Sequence, residues 1–135
     1  MIEVSISLFV VSICIVCSFN IVKNLINSNQ DRLMREQVNN SLYAICSEVK
    51  YNLLYKEIKN EITNKKLIIS YDKNLLSTLE NKSLLSLDRS IKENKKVEIE
   101  LLEDKEDYMI IKVKIIYKGI EEEQNLLKAE WMDYV

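Results

Sequence analysis

The sequence contains no histidine, no proline and only one glycine. Without histidine there is no Ser-His or Cys-His pair to activate a nucleophile, and one glycine cannot build a glycine-rich phosphate loop. The formal net charge of −2 disfavours a nucleic-acid binder, since such proteins usually carry excess positive charge. These absences predict a protein that is not an enzyme, takes no cofactor or small-molecule substrate and binds no nucleic acid.

Cysteines and acidic clusters give no sign of a metal or redox site. Cys14 and Cys17 lie in an apolar stretch and are interpreted as small apolar side chains, because a metal or redox pair needs polar or histidine neighbours. Cys46 cannot pair with them along the same helix, so no internal disulfide framework is expected. The acidic residues of 103–107 lack the spacing and glycine of a calcium loop, which predicts a solvated turn.

The N-terminal segment is long and uncharged from Val4 to Val22. About 20 residues at ~1.5 Å each cross a hydrocarbon layer of ~30 Å, so residues 1–23 are predicted to form a single transmembrane helix in the cell membrane. No basic residue precedes the run and no small-x-small site ends it, which disfavours a cleaved secretory signal. The alternative is a buried helix of a soluble domain, although such helices rarely remain uncharged over this length.

Residues 24–60 are predicted to continue the same helix, because no proline or glycine interrupts them. Apolar residues recur here at steps of three and four, starting at Met34, and form one stripe that needs a covering layer. Gln37 and Ser41 fall off this stripe. The residues predicted to pack the helix against a sheet are Val38, Leu42, Ile45, Val49, Leu53, Ile111, Val113, Ile115 and Trp131.

Residues 61–96 are predicted to be an irregular connecting region, with a short strand near Leu67–Tyr71 and one or two leucine-rich helical turns. Residues 97–135 are predicted to form an antiparallel sheet. Apolar residues alternate with charged ones over 97–101 and again over 111–117, which is typical of strands buried on one face. Gly119 then supplies a turn.

Residues 120–135 fit either a helix or a strand. A helix would place Ile120, Leu127, Trp131 and Tyr134 on one side; the short turn at Gly119 favours a second hairpin and hence a strand. In the strand, Leu127, Ala129 and Trp131 are predicted to face the core, with Lys128 and Glu130 facing water. The predicted fold class is α+β, a long N-terminal helix packed against a small antiparallel sheet of about three strands.

The first residues also carry a family resemblance. Met1-Ile2-Glu3-Val4 resembles the Leu-Ile-Glu-Val part of the type IV pilin and pseudopilin motif, in which Gly-Phe-Thr precedes those residues and an apolar helix follows. The resemblance implies a bacterial, non-enzymatic subunit like a minor pilin or pseudopilin. Such a subunit assembles through its apolar helix into a type IV pilus, competence or type II secretion-like filament. Its partners are the lipid bilayer and other pilin-like subunits, and its C-terminal domain lies outside the cytoplasm.

Glu3 is the residue on which the resemblance bears most directly. A carboxylate in hydrocarbon costs at least a few kcal/mol, and the resemblance implies that Glu3 pairs with the amino terminus of a neighbouring subunit. The alternative is that Glu3 lies among headgroups near the positive end of its own helix. The predicted membrane and assembly surface comprises Ile2, Glu3, Val4, Leu8, Phe9, Val11 and Ile15.

The family's basic leader, cleavage-site glycine and Phe-Thr do not precede Met1 in this sequence. One hypothesis is a start codon further upstream, and another is a degenerate paralogue that only anchors in the membrane. Two other functions compete with the pilin-like one. The chain could be a small single-pass adaptor that acts through its amphipathic helix, or a membrane-tethered sensor, which requires a real ligand pocket.

Overall fold

The apolar N-terminal sequence and part of its amphipathic continuation form one helix, α1, which runs from Ile2 to Ser47 in the computed structural model. The structure describes residues 2–62, 66–87, 89 and 93–134. The chain divides into two compact units, Met1–Arg35 and Glu36–Val135. The N-terminal part of helix α1 forms the first unit, and the C-terminal turns of α1 belong to the second unit.

Helix α1 ends earlier than the sequence predicts. A π-helical turn follows it over Glu48–Asn52, and a second helix, α2, occupies Tyr55–Glu61. Between them the chain is extended at Leu53 and Leu54, with ψ angles of 138° and 144°. The prediction of one helix to about residue 60 is therefore wrong. The sequence has no proline or glycine at the break. Contacts from distant parts of the chain stabilise the break instead.

The sheet has four antiparallel strands in the order β1-β2-β3-β4. The predicted α+β fold class is confirmed, with four strands in place of about three. The strands are β1 (Lys66–Ser70), β2 (Lys95–Asp104), β3 (Tyr108–Tyr117) and β4 (Ile120–Ala129).

Strand β1 lies inside the connecting region, where the sequence predicts a short strand near Leu67–Tyr71. It pairs with β2, with Leu67 opposite Ile99, and so forms one edge of the sheet. A short helix, α3 (Leu75–Leu79), and a 3-10 turn (Leu84–Ser86) lie between β1 and β2. The leucines of this region are therefore part of ordered turns, as expected.

The inner face of the sheet carries the predicted apolar residues. In β3 the side chains of Ile111, Val113, Ile115 and Tyr117 are buried, as are Val97 and Ile99 in β2. A β-bulge interrupts the register between Leu101 and Glu103. Alternation along each strand places these side chains on one face, so they form one layer of the core.

The outer face of the sheet carries charged residues. Lys112 lies 2.8 Å from Glu123, and Lys114 lies 2.7 Å from Glu121. Such partly exposed pairs contribute at most about 1 kcal/mol each, so their main effect is to keep this face hydrated.

Strand β4 places Leu126 and Lys128 in the core, where the prediction placed Leu127. Leu127 is exposed, whereas Leu126 and Lys128 are buried. The cause is the turn before it: Lys118 and Gly119 have φ angles of 50° and 83°, the two positive values of a two-residue type I′ turn. This turn sets Ile120 opposite the inward-facing Tyr117, and a shift of one residue reverses every side chain in a strand.

Trp131 does not pack between the helix and the sheet. Strand β4 ends at Ala129, and Trp131 lies in the 3-10 turn Glu130–Tyr134 with 63% of its surface exposed. The prediction extended the alternation of the strand beyond its end. Ala129, which the same pattern assigned to the core, is buried.

The other face of the core comes from α1 and the π-helical turn. Val49 and Leu53 line one small void together with Leu67 of β1 and Ile99 of β2, so this segment packs on the sheet. Ser41, predicted to lie off the apolar stripe, is also buried, and its hydroxyl lies 3.1 Å from the Tyr71 hydroxyl. The predicted stripe residues Val38, Leu42, Ile45, Val49 and Leu53 are all buried.

Replacing Gly119 by alanine tests the turn that sets the register of β4. No atom lies within 4 Å of the position that an added Cβ would take, so the cost comes from the positive φ angle of 83° alone. We expect Gly119→Ala to lower the free energy of unfolding by about 1–2 kcal/mol. Gly119→Asn is the matched control. Its free energy of unfolding should fall by less, because asparagine tolerates this conformation.

Urea unfolding of the full chain in detergent, followed by circular dichroism, measures both variants. An alanine variant as stable as the parent chain would contradict the type I′ geometry.

Candidate functional site

The first unit presents an apolar helix surface. From Val4 to Val22, the large apolar side chains are between 47% and 72% exposed. By length and composition, the helix that contains them is long and apolar enough to cross a membrane. Within the described residues, this surface is therefore left for contacts outside the chain.

The predicted assembly residues all lie on this helix, although not on one side of it. Val4, Leu8, Val11 and Ile15 follow steps of four, three and four and share one face. Glu3, in the first helical turn, lines one surface groove with Val4 and Leu8, whereas Phe9 lies outside the face. All six side chains are exposed. The side chain of Ile2 lies outside the described residues.

Serines interrupt the apolar surface without leaving free hydroxyl groups. Ser7 donates to the Glu3 carbonyl at 2.9 Å, Ser12 to the Leu8 carbonyl at 2.8 Å and Ser18 to the Cys14 carbonyl at 2.8 Å. These bonds reach one turn back along the helix and satisfy each donor without water. The segment can therefore enter an apolar medium without unpaired serine donors.

A second site lies in the other unit, at the break between α1 and α2. The Lys128 side chain of β4 is only 1% exposed, and its Nζ lies 2.7 Å from Oδ1 of Asp133. The same Nζ donates to the carbonyl oxygen of Lys50 at 3.0 Å. A buried ammonium group thus has both a counter-ion and a backbone acceptor, as burial of a charge requires.

This pair also completes the ends of two helical segments. Lys50 lies in the π-helical turn, whose last carbonyls lack partners within the segment, and Lys128 supplies a donor to one of them. Asp133 Oδ2 accepts the backbone N–H of Tyr55, the first residue of α2, at 2.7 Å. A cation at a helix C-terminus and an anion at a helix N-terminus both suit the helix dipole.

The charge state of Asp133 follows from its surroundings. Burial raises the pKa of its carboxyl group, but hydrogen bonds from Lys128 and from the Tyr55 N–H outweigh this effect and place the pKa below the ordinary range of aspartate. The carboxylate is therefore ionised at neutral pH and pairs with Lys128 as an anion.

The thiol groups offer no comparable chemistry. Cys46 is buried, and burial raises the pKa of its thiol to about 11, so the reactive thiolate form is scarce. Cys14 and Cys17 are exposed and free. In the described part of the chain, no three His, Cys, Asp or Glu side chains are grouped so that they could hold a metal ion.

The reasoning from sequence missed the Lys128–Asp133 pair because it placed Lys128 on the hydrated face. A two-residue turn at Lys118–Gly119 would have given the correct face, since it fixes Ile120 opposite Tyr117. No local pattern marks Asp133 as the partner, because its contacts with Tyr55 and Lys128 arise only in the folded chain.

A double-mutant cycle tests the buried pair. Lys128→Met leaves a buried carboxylate without its counter-ion and should lower the free energy of unfolding by about 3–5 kcal/mol. Asp133→Asn keeps an acceptor for Tyr55 but leaves the ammonium unpaired, so it should also be strongly destabilising. The double variant Lys128→Met/Asp133→Asn removes both charges and should recover much of the loss.

Urea unfolding of the four chains gives the coupling energy directly. Additive losses in the double variant would mean that the two side chains do not depend on each other.

Acid should remove the contribution of Asp133 to stability. Its pKa is lower in the folded than in the unfolded chain, so the contribution is complete above the unfolded value of about 3.9 and is lost as the pH falls through the folded value. We expect the stability of the parent chain to fall more steeply below about pH 4 than that of Asp133→Asn. Unfolding in urea at a series of pH values measures the two slopes, and parallel slopes would argue against an ionised pair.

No known family model, curated protein or solved structure matches this chain. The similarity to type IV pilins therefore stays a prediction that rests on the first residues and on the plan of the fold. The two sites described above are the features from which a function can be argued: an exposed apolar helix in one unit and a domain closed by a buried ion pair in the other.

Proposed function

We propose that this chain is a non-enzymatic, membrane-anchored structural subunit, similar to a minor pilin or pseudopilin. The observation that carries the proposal is the exposure of every large apolar side chain in the described helix from Val4 to Val22. In water this surface would be unfavourable, at ~25 cal/mol for each Å² of apolar area. A bilayer or a bundle of similar helices removes that cost.

The backbone hydrogen bonding of this segment is compatible with a bilayer as the environment that the helix enters first. Helical hydrogen bonding satisfies the peptide groups internally, which a spanning segment requires because hydrocarbon supplies no partners. The serine hydroxyls that donate to carbonyls one turn back meet the same requirement. Membrane insertion therefore leaves Glu3 as the polar group whose partner matters most.

The position of Glu3 is an argument for assembly with other subunits and not for membrane anchoring alone. Glu3 lies in the first turn of α1 and lines one surface groove with Val4, Leu8 and Val11. A cation from a neighbouring chain, such as its amino terminus, would neutralise the carboxylate in the bilayer. We propose that such pairing orders subunits within a type IV pilus, competence or type II secretion-like filament, with the second unit outside the cytoplasm.

The competing adaptor function would have to use a different surface from the one first predicted. The amphipathic stripe is buried within the second unit, so Val38, Leu42 and Ile45 are not available to a partner helix. The large apolar side chains that follow the bilayer-length segment in α1 and are exposed are those of Leu25, Ile26, Leu33 and Tyr43. This shorter set favours the filament proposal, in which the whole apolar surface takes part.

Glu3→Ala separates assembly from anchoring. We expect the variant to stay in the membrane fraction after alkaline extraction, because the apolar helix is intact, but to lose cross-links to neighbouring subunits in its native cells. The control is Val11→Arg/Ile15→Arg, which should lose membrane retention itself, since each arginine at a helix centre costs about 2.5–3.5 kcal/mol.

Two results would contradict the proposal. Recovery of the parent chain in the soluble fraction would remove the membrane anchor, and normal cross-linking of Glu3→Ala would remove the pairing role of the glutamate.

A further inference from the structure

An open cavity lies beside the end of β1, in the second unit. It has a volume of about 470 Å³ and is lined by residues from the end of β1, from α3, from the turn after α3 and from the start of β2. Sites for small molecules typically measure about 300–1,000 Å³, so this cavity has the right size for one small ligand. We call it the β1–α3 cavity.

The floor of the β1–α3 cavity is held in place by buried groups. Tyr71 and Leu75 line it and are almost fully buried. The Tyr71 hydroxyl lies 3.1 Å from the Ser41 hydroxyl, and the Tyr71 ring meets the Tyr117 ring edge-on at 5.0 Å. The Tyr71 N–H also donates to the Lys95 carbonyl at 3.0 Å. A ligand would therefore meet a floor that is already formed, which lowers the cost of binding.

Two lysines give the cavity its charge. Lys82 and Lys95 both line it. Among the ion pairs of the described residues, none includes either lysine. Lys95 instead lies over the Tyr117 ring at 5.9 Å. The lysines of the outer sheet face differ, because Lys112 and Lys114 are both paired with glutamates. The cavity therefore holds two ammonium groups that are available to an anion.

The remaining polar groups of the cavity mostly accept hydrogen bonds. Thr78 and Ser86 use their hydroxyl protons on the carbonyls of Asn74 and Ser83, at 2.9 and 2.7 Å. Their oxygens keep acceptor capacity, and so does the carboxylate of Asp72, which lines the same cavity. A ligand that suits the cavity must combine an anionic group for the lysines with hydroxyl donors for these acceptors.

We propose that the β1–α3 cavity binds a small hydroxylated anion, with Lys82 and Lys95 contacting its phosphate or carboxylate group and Asp72 and the hydroxyl oxygens accepting its hydroxyl protons. The ligand is bound and not converted, since the cavity presents no activated nucleophile. This ligand site gives the domain a sensing function beyond a structural one. It depends only on residues of the second unit and not on membrane anchoring.

Calorimetric titration of the full chain in detergent micelles tests the site with three probes. Glucose 6-phosphate carries a phosphate, citrate carries carboxylates with one hydroxyl, and glucose carries hydroxyls without charge. We expect saturable one-to-one binding of at least one charged probe and none of glucose. Binding of the sugar phosphate alone identifies a phosphate site, and binding of citrate alone identifies a carboxylate site.

Charge-removing variants locate the binding. Lys82→Gln/Lys95→Gln should lower the affinity for the charged probe by about tenfold or more, since hydrogen bonds to charged groups are strong. The matched control, Lys56→Gln/Lys59→Gln on α2, removes the same charge away from the cavity and should change the affinity less than about twofold. Circular dichroism of both variants verifies that the fold is retained.

Three outcomes would overturn the proposal. They are no saturable binding of either charged probe at millimolar concentration, equal affinity in the Lys82→Gln/Lys95→Gln variant, and glucose binding as tight as that of the charged probes.

Discussion

The buried ion pair between Lys128 and Asp133 is the interaction on which the second unit depends. The ammonium group donates to a carbonyl at the end of the π-helical turn, and the carboxylate accepts the first N–H of α2. One pair of side chains thus provides hydrogen-bond partners for two helix ends, which Leu53 and Leu54 separate along the chain. Burying two charges is costly, and the extra backbone contacts make this arrangement favourable.

This constraint explains why a helix without proline or glycine ends where it does. Local propensity would carry α1 onward, but an unbroken helix would leave the Lys128 ammonium without the carbonyl and would remove the free N–H that Asp133 accepts. Leu53, at the break, turns into the core instead of following the helical path. The end of the helix is therefore set by tertiary contacts, and propensity is overridden.

The two units are governed by different physics. In the described part of Met1–Arg35 the large apolar side chains are exposed, apart from the half-buried Met34, so the helix derives its order from backbone hydrogen bonds. Within Glu36–Val135 the apolar stripe and the inner sheet face bury each other. The sequence encodes this change in its hydropathy: continuous apolar residues before Lys23, periodic ones after Met34.

Patterns that act over a few residues were readable from the sequence. The apolar helix, the stripe of Val38 and its successors, and the alternation of β3 each follow from a local period. The facing of β4 depended on one turn, so a misjudged register reversed Leu127 and Lys128 together. The helix break depends on contacts of Lys50 and Tyr55 with the Lys128–Asp133 pair, which lies far from them in sequence. The β1–α3 cavity joins residues from 70 to 95, and no local period encodes such contacts. For Glu3 the sequence supports a hypothesis, because the proposed partner belongs to another chain.

Among the described residues, β1 and β4 each pair with a neighbouring strand on one side only and so form the two edges of the sheet. Exposed edges of this kind invite pairing with another chain, and proteins oppose it with short edges and with charge. Strand β1 has only five residues, and β4 begins, just after Ile120, with three consecutive glutamates. We expect these three glutamates to oppose aggregation, because they place negative charge along one edge of the sheet.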